Sequence, residues 1–266
     1  MRFMAHPILK GKQLSITAVT ALLLWNGATA SATLPGDDAV NQAGKQRMIT
    51  QRLMKDYAMI GMKLDLGDPG ADLRQLVSRF DAILTDLEQY ASEPRVQTSL
   101  TEIRGQWAPL KKTLQEAPEK SRAARLQQDL DALLATCQKN THLLAELSGN
   151  QRGEIVDLAG RQRMLSQRMA ALYMLKAWRV QGVDIDTKLT RAMEEFSSAH
   201  TRLEESALTT AEIRELLARV KKSYAWFEMM GKSKSGRVIP SLINRSADKI
   251  LVDMDKVTTM YAATRK

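Results

Sequence analysis

The chain has 266 residues, 44% of them hydrophobic, and its 39 Lys and Arg against 30 Asp and Glu give a formal net charge of +9. A chain of this length can build two apolar cores. Its single cysteine, Cys137, excludes an intrachain disulfide and a metal site built from several cysteines. The positive charge is spread along a chain with few aromatic residues, which favours anionic ligands or surfaces and argues against nucleic acid as a partner.

Residues 1–32 are typical of an export signal. They contain three basic residues and no acidic one, with the apolar run 14–25 and small residues at 30–32. The apolar run is shorter than the roughly 20 residues that span a bilayer, so an uncleaved membrane anchor is the less favoured alternative. We predict cleavage after Ala32 and a periplasmic or exported mature chain with a net charge of +6. We expect it to have no stable membrane span.

A ten-residue phrase occurs twice in the chain. Residues Ala43–Arg52 return as Ala159–Arg168, with seven positions identical and an offset of 116 residues. This offset is far too long for a solenoid repeat and indicates a duplicated, domain-sized module. Apolar positions continue to match beyond the phrase, at an offset of 116 and then of 117. The sequence therefore predicts two modules, residues 33–150 and 151–266.

Each module reads as four amphipathic helices. Apolar residues recur at intervals of three and four, and glycine and proline mark the breaks. The predicted helices span 37–66, 71–91, 94–115, 121–148, 153–181, 186–207, 210–231 and 238–264. Short connections favour an all-α fold of two tandem antiparallel four-helix bundles. The junction at 148–153 either bends or continues as one helical rod from 121 to 181.

The most strictly repeated polar residues lie on one face of the first helix of each module. With about 100° per residue, Gly44, Met48 and Gln51 cluster opposite an apolar stripe, and Arg47 and Arg52 flank them. In a structural interpretation, the glycine admits a neighbouring helix and the arginines bond carboxylates or helix-terminal carbonyls. In a functional interpretation, paired guanidinium groups bind a small oxyanion through parallel hydrogen bonds.

The repeated phrase resembles the signature helix of two related sensory families. Residues Asn41–Arg52 are similar to that of the periplasmic sensor domain of nitrate/nitrite sensor histidine kinases. Residues Ala159–Arg168 resemble that of the N-terminal module of type IV pilus methyl-accepting chemotaxis transducers, the PilJ-type domain. The resemblance implies a helical bundle used for extracytoplasmic sensing.

The resemblance also implies a ligand site. In the nitrate sensors, the glycine and the first arginine of this helix contact the anion at a symmetric dimer interface. Together with the later arginine of the signature, the matching candidates here are Gly44, Arg47, Arg52, Gly160, Arg163 and Arg168. Asp157 replaces the Asn41 of the first copy, and its negative charge would disfavour an anion at the second copy. The bulky Gln46 and Gln162 follow the pilus-transducer version more closely.

A tandem protein could build one pseudo-dimeric site from Arg47 and Arg163 of the same chain. This requires the junction at 148–153 to bend. If residues 121–181 formed one rod of roughly 90 Å, the two motifs could meet only through a second molecule, as in a homodimer.

Other chemistries have weaker signals. Methionines near the motifs, such as Met48 and Met164, could bind Cu(I) but are more typical of core packing. His142 and His200 have no suitably spaced metal-ligating partners, and we find no catalytic motif. We therefore expect neither enzyme activity nor a cofactor. The leading hypothesis is a sensory or ligand-binding protein for a nitrate-like anion. The alternative is a structural or adaptor protein whose repeated faces bind a sensor or pilus-associated partner.

Overall fold

The described part of the chain is all-α. The structure is a computed structural model that describes residues 36–148, 151–232 and 239–263. The described helices are α1 (Gly36–Gly61), α2 (Pro69–Tyr90), α3 (Pro94–Gln115), α4 (Lys120–Ser148), α5 (Gln151–Ala177), α6 (Ile185–Glu205), α7 (Ala211–Lys232) and α8 (Pro240–Ala263). The predicted all-α class is confirmed, and the predicted export signal lies outside the described residues.

Several helices begin where the sequence signals predict. The carboxylate of Asp68 accepts a hydrogen bond from the Ala71 amide, with Pro69 in the first turn of α2. Asp184 caps α6 in the same way by accepting from the Thr187 amide. These side chains satisfy amide groups that have no partner within the first turn.

The central helices α1 and α5 end earlier than predicted. The sequence predicts ends near 66 and 181, but the helices stop at Gly61 and Ala177. Lys63 and Arg179 each adopt a φ of 55°. The amide of the following residue then bonds the carbonyl five positions back, Leu64 to Met59 and Val180 to Leu175. This is a Schellman cap with a basic residue where glycine is usual, so the sequence gives no stop signal there.

Helices α1 and α5 run parallel and form the centre of the molecule. Gly44 packs on Gly160 near the start of both helices, and Tyr57 contacts Trp178 near their ends, with ring centroids 6.1 Å apart. The two helices share the most extensive helix–helix interface among the described elements. The repeated helix of one copy therefore packs directly on that of the other.

Helices α4 and α8 complete the centre. Helix α4 is antiparallel to α1 and also lies along α5, because its Asp131 contacts Arg168. Helix α8 packs against α5 and more lightly against α1. A rod over 121–181 is therefore not formed, and the two copies of the phrase meet within one chain. Helices α2, α3, α6 and α7 pack around this centre.

The apolar core is continuous through both repeats. The stretch Met169–Leu175 of α5 is buried on every side of the helix, because α5 has neighbours from both repeats. The described helices of the two repeats belong to one compact unit. Among the described residues, no helix combines the length and apolarity needed to cross a lipid bilayer.

Candidate functional site

The candidate site is the crossing of α1 and α5. A Cβ atom placed on Gly44 would lie 3.9 Å from the Cα of Gly160, and one placed on Gly160 would lie 3.8 Å from the Cα of Gly44. At these distances a Cβ atom would make ordinary van der Waals contact with the backbone of the facing helix. The space above the two glycines is taken by the ends of Arg47 and Arg163, whose Nη2 atoms lie within 3.3 Å of either Cβ position.

Arg47 reaches from α1 towards the start of α5. Its Nη1 donates to Oε1 of Gln138 at 2.8 Å and forms an ion pair with Oδ1 of Asp157 at 2.7 Å. Its Nη2 donates to the carbonyl oxygen of Asp157 at 3.3 Å. Side chains on a helix point towards its N-terminus, which explains how an arginine aligned with residue 163 contacts residue 157.

The side chain of Arg163 extends in the opposite direction, from α5 towards the start of α1. Its Nη1 pairs with Oδ1 of Asp255 on α8 at 2.7 Å. Its Nη2 donates to Oδ1 of Asn41 at 2.9 Å and lies 3.4 Å from the carbonyl oxygen of Asn41. Asn41 and Asp157 are matching positions of the two repeats, as are Gln138 and Asp255. The crossing is thus pseudo-symmetric in geometry but not in chemistry.

The two guanidinium groups are buried cations. Both arginine side chains are 0% exposed. The pKa of Arg163 is lowered to about 10, mainly by burial; the carboxylate of Asp255 opposes this shift, and the nearby charges of Arg47 and Arg79 contribute to it. Arg163 therefore stays protonated at neutral pH. The Nε atoms of Arg47 and Arg163 have no hydrogen-bond partner in the described part of the chain, so each guanidinium keeps one donor unused.

The structure places the other two candidate arginines away from this crossing. Arg52 donates to Oδ2 of Asp72 at 2.9 Å. Arg168 donates to Oδ1 of Asp131 at 2.6 Å, in a groove that Lys188 also lines. Arg52 thus joins α1 to α2. Arg168 joins α5 to α4 and also to α1, because its Nη1 donates to Oε1 of Gln51 at 3.2 Å. Of the six candidate residues predicted from the sequence, four lie together at the crossing of α1 and α5: Gly44, Arg47, Gly160 and Arg163.

Two residues of the site are not predicted from the sequence. Gln138 and Asp255 lie late in each repeat, about 90 residues after the arginines they contact. They match each other at an offset of 117 residues, and this correspondence is the signal that could have found them. From the sequence, Asp157 is expected to be an unfavourable charge for an anion, whereas in the structure it is the ionic partner of Arg47.

A second buried charged cluster lies further along α1. Nζ of Lys55 pairs with Oδ1 of Asp248 on α8 at 3.0 Å and lies 3.8 Å from Oδ1 of Asp56. Lys55 and Asp56 are 2% and 1% exposed. Burial raises the pKa of Asp56 to about 7, against the lowering effect of Lys55 and Arg52.

The methionines of the repeated phrases and the side chain of His200 have packing roles. Met48, Met54, Met164 and Met169 lie in the apolar core. No group of three metal-ligating side chains occurs within the described ranges. His200 is buried against Phe196, with the rings stacked at a centroid distance of 6.1 Å.

Comparison with known proteins gives one family. Residues 31–139 match the family model of the type IV pili methyl-accepting chemotaxis transducer N-terminal domain, PilJ. No curated protein sequence and no solved structure shows significant similarity to the chain. The matched segment contains α1, α2, α3 and most of α4, including Gly44 and Arg47. Residues 31–139 are therefore similar to the PilJ domain, the N-terminal sensory domain of type IV pili chemotaxis transducers.

Proposed function

We propose that this protein is a non-catalytic extracytoplasmic sensory or ligand-binding protein that binds a small oxyanion at the crossing of α1 and α5. The observation that carries the proposal is the convergence of Arg47 and Arg163 on one point between Gly44 and Gly160. A planar guanidinium presents donors that match nitrate, phosphate or carboxylate. The unused Nε donors add to the hydrogen bonds that such an anion could accept.

The duplication explains how one chain could do this. In the nitrate sensors that the phrase resembles, two copies of the helix meet at a dimer interface, and here the second copy supplies Gly160 and Arg163 within the same chain. We propose that residues 151–266 are a second PilJ-type four-helix module. A signalling output would then require a separate partner.

The adaptor alternative needs a different surface. In this alternative, the repeated helix faces bind another protein. However, Arg47 and Arg163 are fully buried, each against the helix of the other. A partner would have to use other side chains, such as the exposed Trp226 and Met229 of α7. The crossing itself favours a small ligand.

Thermal unfolding of residues 33–266 against nitrate, nitrite, phosphate, sulfate and acetate tests the proposal, with chloride as the control for ionic strength. A ligand that binds the folded state raises its stability by RT ln(1 + [L]/Kd), about 2.7 kcal/mol at a hundredfold excess over Kd. For a protein of this size we expect a rise of about 5–10 °C in the unfolding midpoint.

The shift should disappear in R47Q/R163Q and persist in R104Q/R219Q. The control pair removes two exposed arginines that are also ion-paired, so the change in net charge is the same. Circular dichroism checks that each variant is folded, and calorimetric titration measures affinity independently of stability. An anion affinity that R47Q/R163Q retains in full would exclude this site.

A further inference from the structure

The two repeats differ at the crossing in one systematic way. Each arginine has one side-chain amide and one carboxylate as partners. The position that supplies the amide in one repeat supplies the carboxylate in the other. Arg47 has Gln138 and Asp157, whereas Arg163 has Asp255 and Asn41. Exact repeats with asparagine and glutamine at these positions would leave two buried cations without a counter-ion.

The aspartates therefore neutralise the crossing from within the chain. Two like charges this close in a buried place repel each other, and opposite charges or a bound anion must compensate them. The carboxylate oxygens of Asp157 and Asp255 both lie 2.7 Å from a guanidinium nitrogen. A carboxylate and a small oxyanion present the same kind of acceptor to arginine. An incoming anion and these side chains thus compete for the same donors.

The two carboxylates are not equally fixed. The side chain of Asp157 is 19% exposed, and its own carbonyl oxygen also accepts from Arg47. The side chain of Asp255 is 52% exposed, so it can turn into water without burying its charge elsewhere. The positive charge of Lys45 lies close enough to Asp255 and Arg163 to interact with both. The Asp255 side of the crossing is therefore the easier one for an anion to enter.

We propose that Asp157 and Asp255 are internal counter-anions that set the affinity of the site, and that an external oxyanion binds in exchange for the carboxylate of Asp255. This inference rests on the proposed function of the crossing. It makes the protein respond only to anion concentrations high enough to displace a tethered competitor. Asp255 is an affinity-determining residue in this scheme, and Arg163 is the group that changes partner.

The other repeat supplies the test variants. D157N introduces the amide that Asn41 provides to Arg163, and D255Q introduces the amide that Gln138 provides to Arg47. Each substitution keeps an acceptor that the pseudo-symmetric position already accommodates, so we expect each variant to fold, and circular dichroism checks this. D129N removes an exposed carboxylate paired with Arg125 on α4 and is the control for net charge.

The experiment is calorimetric titration of the purified protein and these variants with sodium nitrate and sodium phosphate. We expect D255Q to bind the anion about tenfold more tightly than wild type, which corresponds to about 1.4 kcal/mol. D157N should change the affinity in the same direction by a smaller factor, and the double variant should bind most tightly. Without anion, D255Q and D157N should have lower unfolding midpoints that nitrate or phosphate restores, whereas D129N should match wild type.

The outcomes separate this inference from the proposed function. If wild type binds anion through Arg47 and Arg163 but D255Q and D157N bind no more tightly, the counter-anion role is wrong and the function stands. If only the variants bind, Asp157 and Asp255 are counter-anions, but the exchange at Asp255 and anion sensing by the natural protein are both wrong. If no protein binds, both are wrong. An equal gain in D129N would also overturn the role, because it would reflect net charge alone.

Discussion

Asp56 is a buried carboxyl group in the middle of α1, surrounded by charges from three helices. Lys55 and Arg52 approach it from α1 itself, Asp72 from α2 and Asp248 from α8. Its Oδ2 atom has no hydrogen-bond partner in the described structure. Burial raises its pKa from 3.8 to about 7, so the folded protein retains a proton that the unfolded chain releases.

This residue gives a signed prediction for pH dependence. Between about pH 4 and pH 7 the folded state binds the extra proton, so the contribution of Asp56 to the free energy of unfolding falls as the pH rises. D56N lacks this contribution and should become progressively more stable relative to wild type from pH 4.5 to pH 7. Above pH 7 the difference should level off. Urea unfolding at a series of pH values measures it.

The exposed Asp86 on α2 provides the control. D86N removes a solvent-exposed carboxyl group, so its difference from wild type is the reference for the pH profile of D56N. A D56N profile that parallels the D86N profile would contradict the assignment of a raised pKa to Asp56.

At the scale of single residues, the sequence predicts only part of the candidate site. Gly44, Arg47, Gly160 and Arg163 followed from a repeated phrase, since a glycine and an arginine three residues later share one helix face. Their acidic partners did not follow, because Asp255 is separated from Arg163 by 92 residues. Only the packing of α8 on α5 brings the two together.

At the scale of the elements, the ends of α1 and α5 show what helix signals can miss. A residue in the left-handed region ends each helix, and it is Lys63 or Arg179 in place of glycine. A side chain with a Cβ atom costs roughly 1 kcal/mol there. The apolar residues that follow, Leu64 and Val180, pack against the core, and this burial offsets the strain.

Replacing these residues by glycine should therefore stabilise the protein. We expect K63G and R179G each to raise the free energy of unfolding by up to about 1 kcal/mol, because glycine adopts a positive φ without steric cost. Chemical denaturation measures the change. K222G is the matched control, since Lys222 is exposed within α7 and glycine inside a helix should cost about 1 kcal/mol. Equal destabilisation by all three substitutions would show that no strain is present at the caps.

At the scale of the whole molecule, the two repeats share one core. Helices α1 and α5 cover each other along their length, and neither has a solvent-facing side at its centre. Separating the repeats would expose both central helices, so we infer that the repeats unfold together.

Tryptophan fluorescence can test this cooperativity. In a W178F/W226F form of residues 33–266, Trp107 reports the first repeat alone. F196A removes a fully buried ring from the second repeat and should cost about 3–5 kcal/mol. If the repeats unfold together, F196A lowers the Trp107 midpoint and the circular dichroism midpoint equally. V252A, at an exposed site on α8, should leave both unchanged. A Trp107 midpoint unaffected by F196A would show independent units.

The sequence by itself determined the helical class, the repeated ten-residue phrase and most helix starts, and it predicted the two glycine–arginine pairs. These features depend on local periodicity, capping side chains and repeated residues, which can be read along the chain. Tertiary structure alone decided that α1 and α5 pack in parallel, that Arg47 and Arg163 meet within one molecule, and that Asp157 and Asp255 neutralise them. Those features depend on the direction in which α5 follows α4, and no local pattern distinguishes a continuous rod from two helices packed side by side.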